Sequence, residues 1–266
     1  VQATLIDDGR SLIRQAGRSS PGHHGEGYFK MLRSYMTDQM KILCPSADRI
    51  VYSAIYGDFQ KDRMEHGTEG TKLIETRYRR NIRLPPRQSL DDIPHFTNHP
   101  IVHRITPYEL EAIVEEDRKD GWKIFPAKSF TSEWEPMSMI DGVKSNIQII
   151  AYRSLLFASY DTNGKCVAVS ALNGFPITPG QRSDCDFYGP NLNHLQAHMI
   201  AHAEEAHKKS KKANCDLYFC VYFPQTISLE KMTDFADKEL AWEISDIHDG
   251  NVYITAERPL TRHAKL

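Results

Sequence analysis

VQATLIDDGRSLIRQAGRSSPGHHGEGYFKML, residues 1–32, reads as strand, turn, strand, glycine-rich loop and helix. Two extended runs flank a turn at Asp8-Gly9, and the second run breaks at Pro21. Gly22, Gly25 and Gly27 then lead into an amphipathic helix with Phe29, Leu32, Tyr35 and Met36 on one face. A loop of this kind at a helix N-terminus offers free backbone N–H groups and the positive end of a dipole, a combination that holds phosphate. Glycines beside a helix start also serve ordinary turns and caps, so the loop marks a candidate phosphate site only. It lacks the Gly-Lys-Ser/Thr ending of a nucleotide-hydrolysing P-loop. No acidic residue closes a following strand at the distance a dinucleotide fold requires.

Composition narrows the class. A chain of 266 residues, 40% hydrophobic and 26% charged, buries a sizeable core and makes one or two domains. A formal net charge of −2 gives no global attraction to nucleic acid or acidic membranes, so neither is expected as a partner. The longest apolar stretch, Ile147 to Tyr160, is interrupted by Arg153 and is too short to span a bilayer. Cys44, Cys166, Cys185, Cys215 and Cys220 form no Cys-x-x-Cys pair; their odd number and scatter favour reduced thiols and a cytoplasmic setting.

Along the chain, a helix over 27–43 precedes an apolar strand, RIVYSAIY, at 49–56. Residues 68–78 read as helix and Asn81–Leu84 as a short strand. Four prolines and little periodicity then mark a linker over 85–105. Thr106-Pro107-Tyr108-Glu109 caps a helix running to about Asp117. Trp122–Pro126 and Ser132–Trp134 read as short strands, and 141–151 as helix, or as turn and strand. A hairpin over Leu155–Tyr160 and Cys166–Leu172 turns at Asp161-Thr162-Asn163-Gly164. A long helix over 192–212, a buried strand over 217–223 and a helix over 228–240 without a capping box follow. Trp242–Asp246 and Asn251–Glu257 are expected to pair across His248-Asp249-Gly250, and 261–266 form a tail.

The order strand, Pro, [Arg/Gln]-x-x-Gly-x-[Gly/Ala], helix resembles the acyl-CoA signature of the GNAT acetyltransferase superfamily. IDDGRSLIRQAGRSSP, SEWEPM with SNIQII after it, GKCVAVSALNGFPITPG and DLYFCVYFPQ together resemble the histidine N-acetyltransferase family, over nearly the whole chain. The resemblance implies an α/β fold: a GNAT-like mixed sheet with flanking helices (1–84) joined to a second, cofactor-free GNAT-like α/β half (106–260). It implies acetyl-CoA as cosubstrate and acetyl transfer to the α-amine of a small amino acid such as histidine. Arg18, Ser19, His24, Gly25, Glu26, Gly27, Tyr28 and Phe29 are then the cofactor-binding residues. Residues 1–6 correspond to the third strand of the superfamily fold, so the first half is expected to be N-terminally truncated.

Several residues depart from the family pattern. His24 stands where Arg or Gln is usual, Glu26 adds negative charge beside the expected pyrophosphate, and Phe29 replaces a small residue. Gln15 stands where many members carry a glutamate base, and an amide takes no proton from an ammonium at neutral pH. A catalytically degenerate binding or scaffold protein is therefore the alternative. For the acid that protonates the leaving thiolate, Tyr78 and Tyr56 are the candidates. Glu135, within Trp134-Glu135-Pro136, is the candidate to orient the acceptor amine, and Asn146 is a second family-like residue.

Two further clusters are read conservatively. His194, His198 and His202 repeat every four residues, a spacing that can hold zinc. Leu195, Met199 and Ala206 form an adjoining apolar stripe, so the histidines are expected to be a solvated or boundary face, and no metal is assigned. Lys208, Lys209, Lys211 and Lys212 complement a helix C-terminus. Arg77, Arg79, Arg80, Arg83 and Arg87 are expected on an exposed strand face.

Overall fold

A computed structural model describes residues 2–15, 28–57, 60, 70–84, 98–177, 180–213, 216–245 and 252–260. The strands are β1 (Gln2–Ile6), β2 (Ser11–Gln15), β3 (Arg49–Ile55), β4 (Lys72–Leu84), β5 (Val102–Ile105), β6 (Ser129–Ser132), β7 (Glu135–Ser138), β8 (Leu155–Tyr160), β9 (Cys166–Pro176), β10 (Gly180–Tyr188), β11 (Asp216–Pro224), β12 (Glu243–Ile244) and β13 (Val252–Pro259). The helices are α1 (Tyr28–Leu43), α2 (Pro107–Lys119), α3 (Val143–Arg153), α4 (Leu192–Ala213) and α5 (Leu229–Asp234), the last continued by a π turn over Phe235–Glu239.

All strands except the β6–β7 hairpin join one sheet in the order β1-β2-β3-β13-β4-β11-β10-β9-β8-β5, with β12 also on β4. Two of its pairs are parallel, β2 with β3 and β10 with β11, and each is connected through a helix, α1 and α4. Every other pair is antiparallel. The last strand, β13, lies between β3 and β4 and so completes the first half of the sheet. The core has one layer on each face. Phe187, Leu195, Met199, Phe219, Phe223 and Trp242 pack with α4 and α5 on one side. Ile13, Val51, Phe130, Met137 and Ile147 pack with α2, α3 and the β6–β7 hairpin on the other.

The mixed α/β architecture and most elements follow the sequence expectation, including the Thr106 capping box, in which Thr106 Oγ1 accepts from Glu109 N–H at 3.3 Å and Glu109 Oε2 accepts from Thr106 N–H at 2.7 Å. Five local expectations are corrected. Residues 72–78 are strand, not helix, because β4 is zipped to β13 and β11 along both edges. Trp122–Pro126 is a turn: the Asp117 carboxylate accepts backbone N–H bonds from Lys123, Ile124 and Phe125 at 2.9–3.0 Å and folds the chain around itself. Glu133 and Trp134 are the turn of the β6–β7 hairpin, both at positive φ (52° and 69°), rather than strand. β12 is only two residues long and pairs with β4, so the final hairpin does not form. β10 is absent from the sequence expectation altogether. The tail 261–266 and the segment 85–97 lie outside the described residues.

The histidine face is also corrected. His198 and His202 are fully buried, because β8 and β9 supply serines that satisfy them. His194 Nδ1 and His198 Nε2 share Ser159 Oγ (2.7 and 2.9 Å), and His198 Nδ1 and His202 Nε2 share Ser170 Oγ (2.5 and 2.6 Å). His202 Nδ1 has no partner. An orphaned buried N–H costs more than an orphaned lone pair, which orients the chain with His202 Nε2–H donating to Ser170.

Gly142 (φ 62°) caps α3, and a Cβ there would come within 2.7 Å of the Asp7–Asp8 peptide bond. Gly142→Ala is expected to lower stability by about 2 kcal/mol or more, read as a shift in the urea unfolding midpoint. Burial lowers His202 to about 3, from an unfolded value near 6.5. The unfolded chain therefore binds protons that the folded chain refuses. This contribution to stability is complete above pH 6.5 and is lost as pH falls toward 3. Melting temperature should drop over that window, and His202→Gln should flatten the slope while lowering stability at pH 8.

Candidate active site

The parallel pair β2–β3 is short. Its register runs Ser11↔Arg49, Leu12↔Ile50, Ile13↔Val51 and stops. β2 continues to Gln15 held only by β1, and β3 continues to Ile55 held only by β13. The inward edges of Arg14–Gln15 and Tyr52–Ile55 therefore face each other across an open wedge with its apex at Ile13 and Val51. An extended ligand that offers amide donors and acceptors fits between two such edges.

The second parallel pair is built differently. β10 and β11 stay in register from Gly180↔Asp216 to Asp186↔Tyr222. Just beyond, the fully buried Arg77 guanidinium fills the gap. Its Nη2 donates to the carbonyls of Phe187 (2.7 Å) and Tyr222 (2.8 Å), and its Nη1 to Asp186 (2.9 Å) and Tyr188 OH (3.0 Å). Burial raises the Asp186 pKa, opposed by the Arg77 charge. The connection from β10 to α4 is also short: Gly189 to Asn191, against the twelve residues 16–27 between β2 and α1. A Cβ on Gly189 would lie 2.8 Å from Ala168 Cβ. The second wedge is thus sealed by the chain itself, and among the described residues nothing seals the first.

Behind the first wedge, on the face that carries α3 and the β6–β7 hairpin, is a cleft of about 410 Å³. Val51, Ile74 and Pro136 form its apolar part; Arg49, Lys72 and Lys128 supply cations, and Asp7, Asp141 and Glu257 anions. One side is fixed by a polar knot. Asp7 Oδ1 accepts from Asn146 Nδ2 (2.7 Å) and Ser138 N–H (2.9 Å), and Asn146 Oδ1 accepts from Asp7 N–H at 3.0 Å. Asp7 Oδ2 takes Ser11 Oγ–H and Arg49 Nη2. Arg49 also reaches Asp141 at 3.1 Å. Asn146 is thus a tie between β1 and α3.

The β4 edge of the cleft carries a bulge. Thr255 pairs with Glu75 and Ala256 with Leu73, so Ile74 is an inserted residue. From Glu75 onward the register with β13 and β11 is unbroken, so Glu75, Arg77 and Arg79 alternate onto the α3 face, and the insertion offsets only Leu73 and Lys72. Arg77 and Arg79 are buried, which corrects the expectation of an exposed basic face for them. Ser53, Thr255 and Glu75 lie opposite one another on β3, β13 and β4. Ser53 Oγ, Thr255 Oγ1 and Glu75 Oε2 have no hydrogen-bond partner, and burial raises the Glu75 pKa against the opposing Arg77 charge. None of these three residues was singled out from sequence.

The sequence candidates are dispersed. Arg18, Ser19, His24, Gly25, Glu26 and Gly27 lie outside the described residues, and Tyr28 and Phe29 open α1. Gln15 ends β2. Tyr56 follows β3, exposed, and its OH accepts from Gln60 Nε2 at 2.6 Å. Tyr78 packs in the α4–α5 layer, 5.8 Å from the Phe223 ring. Glu135 is fully buried and paired with Arg153. Trp134 meets Tyr253 and Tyr222 edge-on at 5.3 and 6.2 Å. Tyr56, Tyr78 and Glu135 do not converge. Among the described residues, no group of three or more His, Cys, Asp or Glu is arranged to hold a metal ion, and no helix is long and apolar enough to cross a membrane.

Removing the Arg77 plug should be severe. Arg77→Met strips two carbonyls and a buried carboxylate of their donor, and is expected to cost about 3–5 kcal/mol in denaturant unfolding. A loss under 1 kcal/mol would contradict the role given to Arg77.

No family model and no curated protein matches the sequence. Among solved structures, the chain is similar to a tandem GNAT protein from the clavulanic acid biosynthesis pathway, determined without AcCoA: 8% identity, 96% of this chain and 77% of that one, TM-score 0.52. A GCN5-related N-acetyltransferase from Sphaerobacter thermophilus aligns at 12% identity, 96% and 74% coverage and TM-score 0.46. Saccharomyces cerevisiae N-myristoyltransferase with bound myristoyl-CoA and inhibitors aligns at 9% identity, 93% and 60% coverage and TM-score 0.47. The first of these carries the fold assignment: the chain has a tandem GNAT-like α/β fold, two parallel-strand wedges in one mixed sheet.

Proposed function

We propose that this protein is an acyl-CoA-dependent N-acyltransferase, with acetyl-CoA as donor and the amine of a small amino acid such as histidine as acceptor. The observation that carries the reading is the open β2–β3 wedge, set against its sealed counterpart at β10–β11. Bound acyl-CoA supplies an electrophilic thioester carbonyl. The backbone edges of Arg14–Gln15 and Tyr52–Ile55 align it, and the loop from Arg18 and Ser19 through His24, Gly25, Glu26 and Gly27 to Tyr28 and Phe29 carries the phosphates. The division into 1–84 and 106–260 then separates a donor-binding half from one that walls the acceptor cleft, with β13 crossing back to finish the first. The cleft's cations, Lys128 among them, suit an acceptor carboxylate. Tyr56, at the end of β3, is the better placed tyrosine to return a proton to the thiolate, because Tyr78 is packed in the core. The scattered cysteines support a cytoplasmic setting. Gln15 and Glu26 favour the degenerate binding protein as the second reading, since neither assists transfer.

Calorimetry with acetyl-CoA separates the two readings. Micromolar binding, abolished by Gly27→Trp, together with thiol release on adding histidine or another amino acid, is the expected result. An absence of binding at millimolar acetyl-CoA would overturn the acyltransferase assignment.

A further inference from the structure

Past the wedge apex, the first position of β3 on the α3 face is Ser53. It begins a row that runs inward across three strands, Ser53↔Thr255↔Glu75. The preceding rung, Val51↔Glu257↔Lys72, borders the cleft, as does the inserted Ile74. The row is therefore the place where the wedge and the cleft meet. Directly opposed side chains in an antiparallel ladder stand about 5 Å apart. An amine seated over Thr255 is then about one strand spacing from both Glu75 and Ser53.

The row is polar and unsatisfied. Ser53 Oγ, Thr255 Oγ1, Tyr253 OH and Glu75 Oε2 are all withdrawn from solvent and meet no well-aligned hydrogen-bond partner among the described residues; burial raises the Tyr253 pKa, and the neighbouring Ser53 hydroxyl opposes that rise. Three such oxygens on one rung, with a fourth two residues along β13, are unfavourable unless a donor reaches them, and an ammonium offers three N–H donors. Among the described residues Glu75 has no ion pair within 4 Å, whereas Glu135, Asp184 and Asp186 on the same face are paired with Arg153, Arg182 and Arg77. Glu75 is the carboxylate there that is left for another purpose.

We propose that Glu75 is the general base of the reaction, with Ser53 and Thr255 aligning the acceptor amine along the row. This rests on the acyl-transfer reading above. The Glu75 carboxylate takes one N–H proton from the acceptor ammonium. The freed lone pair forms the N–C bond at the thioester carbonyl, the C–S bond breaks, the nitrogen releases its second proton to solvent as the amide forms, and the leaving thiolate takes one proton from Tyr56, which solvent reprotonates, or from solvent directly. The register that sets Glu75 opposite Thr255 is continuous with Ile254↔Thr76 and Tyr253↔Arg77, and the bulge at Ile74 lies just beyond it, toward the cleft. The base usually sought on β2 is absent at Gln15, and Glu75 supplies it from β4. Charged and titratable groups facing Glu75 are Arg77 on its own strand, Tyr253 and Glu257 on β13, and Asp186 and Tyr188 on β10. Burial raises Glu75 toward the range in which a carboxylate accepts a proton from an amine most effectively.

The test uses the 266-residue chain, acetyl-CoA and histidine, or the most active amino acid found above, from pH 6 to 10. Glu75→Gln should lower kcat about 100-fold or more at pH 7.5, leave acetyl-CoA affinity within about 3-fold, and recover with rising pH as the amine loses its own proton. Glu75→Asp should be intermediate. Thr255→Val, which keeps volume, should raise KM for the acceptor while leaving acetyl-CoA binding unchanged. Independently of turnover, the difference between the wild-type and Glu75→Gln infrared spectra should contain a protonated-carboxyl band that titrates above the ordinary glutamate range, separate from the bands of Asp184 and Asp186 that both proteins keep. A Glu75→Gln protein that is folded by circular dichroism and has a wild-type pH–rate profile would overturn the assignment and leave acyl transfer standing. So would a wild-type minus Glu75→Gln difference spectrum with no titrating carboxyl band. A wild-type protein that neither binds nor transfers acetyl fails at the earlier step and takes this inference with it.

Discussion

A guanidinium with no access to water sits at the centre of this sheet, and its demand for acceptors organises what surrounds it. Removing a charge from water costs several kcal/mol, and Arg77 offsets this only by engaging a carboxylate, a phenol and two carbonyls at once. The carbonyls are those left over where β10 and β11 stop pairing. The phenol, Tyr188, accepts in addition the Thr131 N–H at 2.5 Å, and so suspends the β6–β7 hairpin from the same point. The turn of that hairpin carries Trp134, which closes over Tyr222 and Tyr253. One buried charge thereby ties β4, β10, β11 and the lid of the polar layer together.

The two halves repeat one motif and treat it oppositely. Each has a parallel pair joined through a helix, but in one the unpaired carbonyls are taken by the chain's own arginine, and in the other no described residue pairs with the strand edges past the apex. A fold-level likeness does not distinguish these states; the residues at each apex do. The halves are locked together by the Asp7–Asn146 contacts, reinforced by the absence of a side chain at Gly142. The cleft wall contributed by α3 is therefore rigidly referenced to the wedge.

Much of the architecture was legible in sequence because it rests on local signals. The Thr106–Glu109 box, the Asp161–Gly164 turn and the 3.6-residue periodicity of 192–212 need no partner to be read. What escaped was what only tertiary pairing decides. β4 reads as helix followed by solvated arginines because arginine is almost never buried, and nothing local announces the carbonyls waiting for Arg77. The alternation of β10 is masked in the same way, since its inward residues are Arg182, Asp184 and Asp186. The histidines of α4 read as a boundary face because Ser159 and Ser170, which satisfy them, are more than twenty residues away. Glu75 was invisible for a subtler reason: its burial and its place beside Ser53 and Thr255 are decided by pairing with β13, a strand far later in the chain, and no local pattern announces that partner.

The position of β13 has a consequence for how the molecule is made. β3 is held on its inner side by β13 alone, at a separation of about two hundred residues, so the wedge strand stays unpaired on that side until the final segment leaves the ribosome. Contacts this distant in sequence form late and slowly. The second half can fold as the chain emerges; the first must wait. A nascent or prematurely terminated chain would expose two strand edges and no row of Ser53, Thr255 and Glu75, making it a substrate for chaperones before it is anything else. Synthesis of β13 is in this sense the activation step, and its removal would act on β3, about two hundred residues away from where the deletion is made.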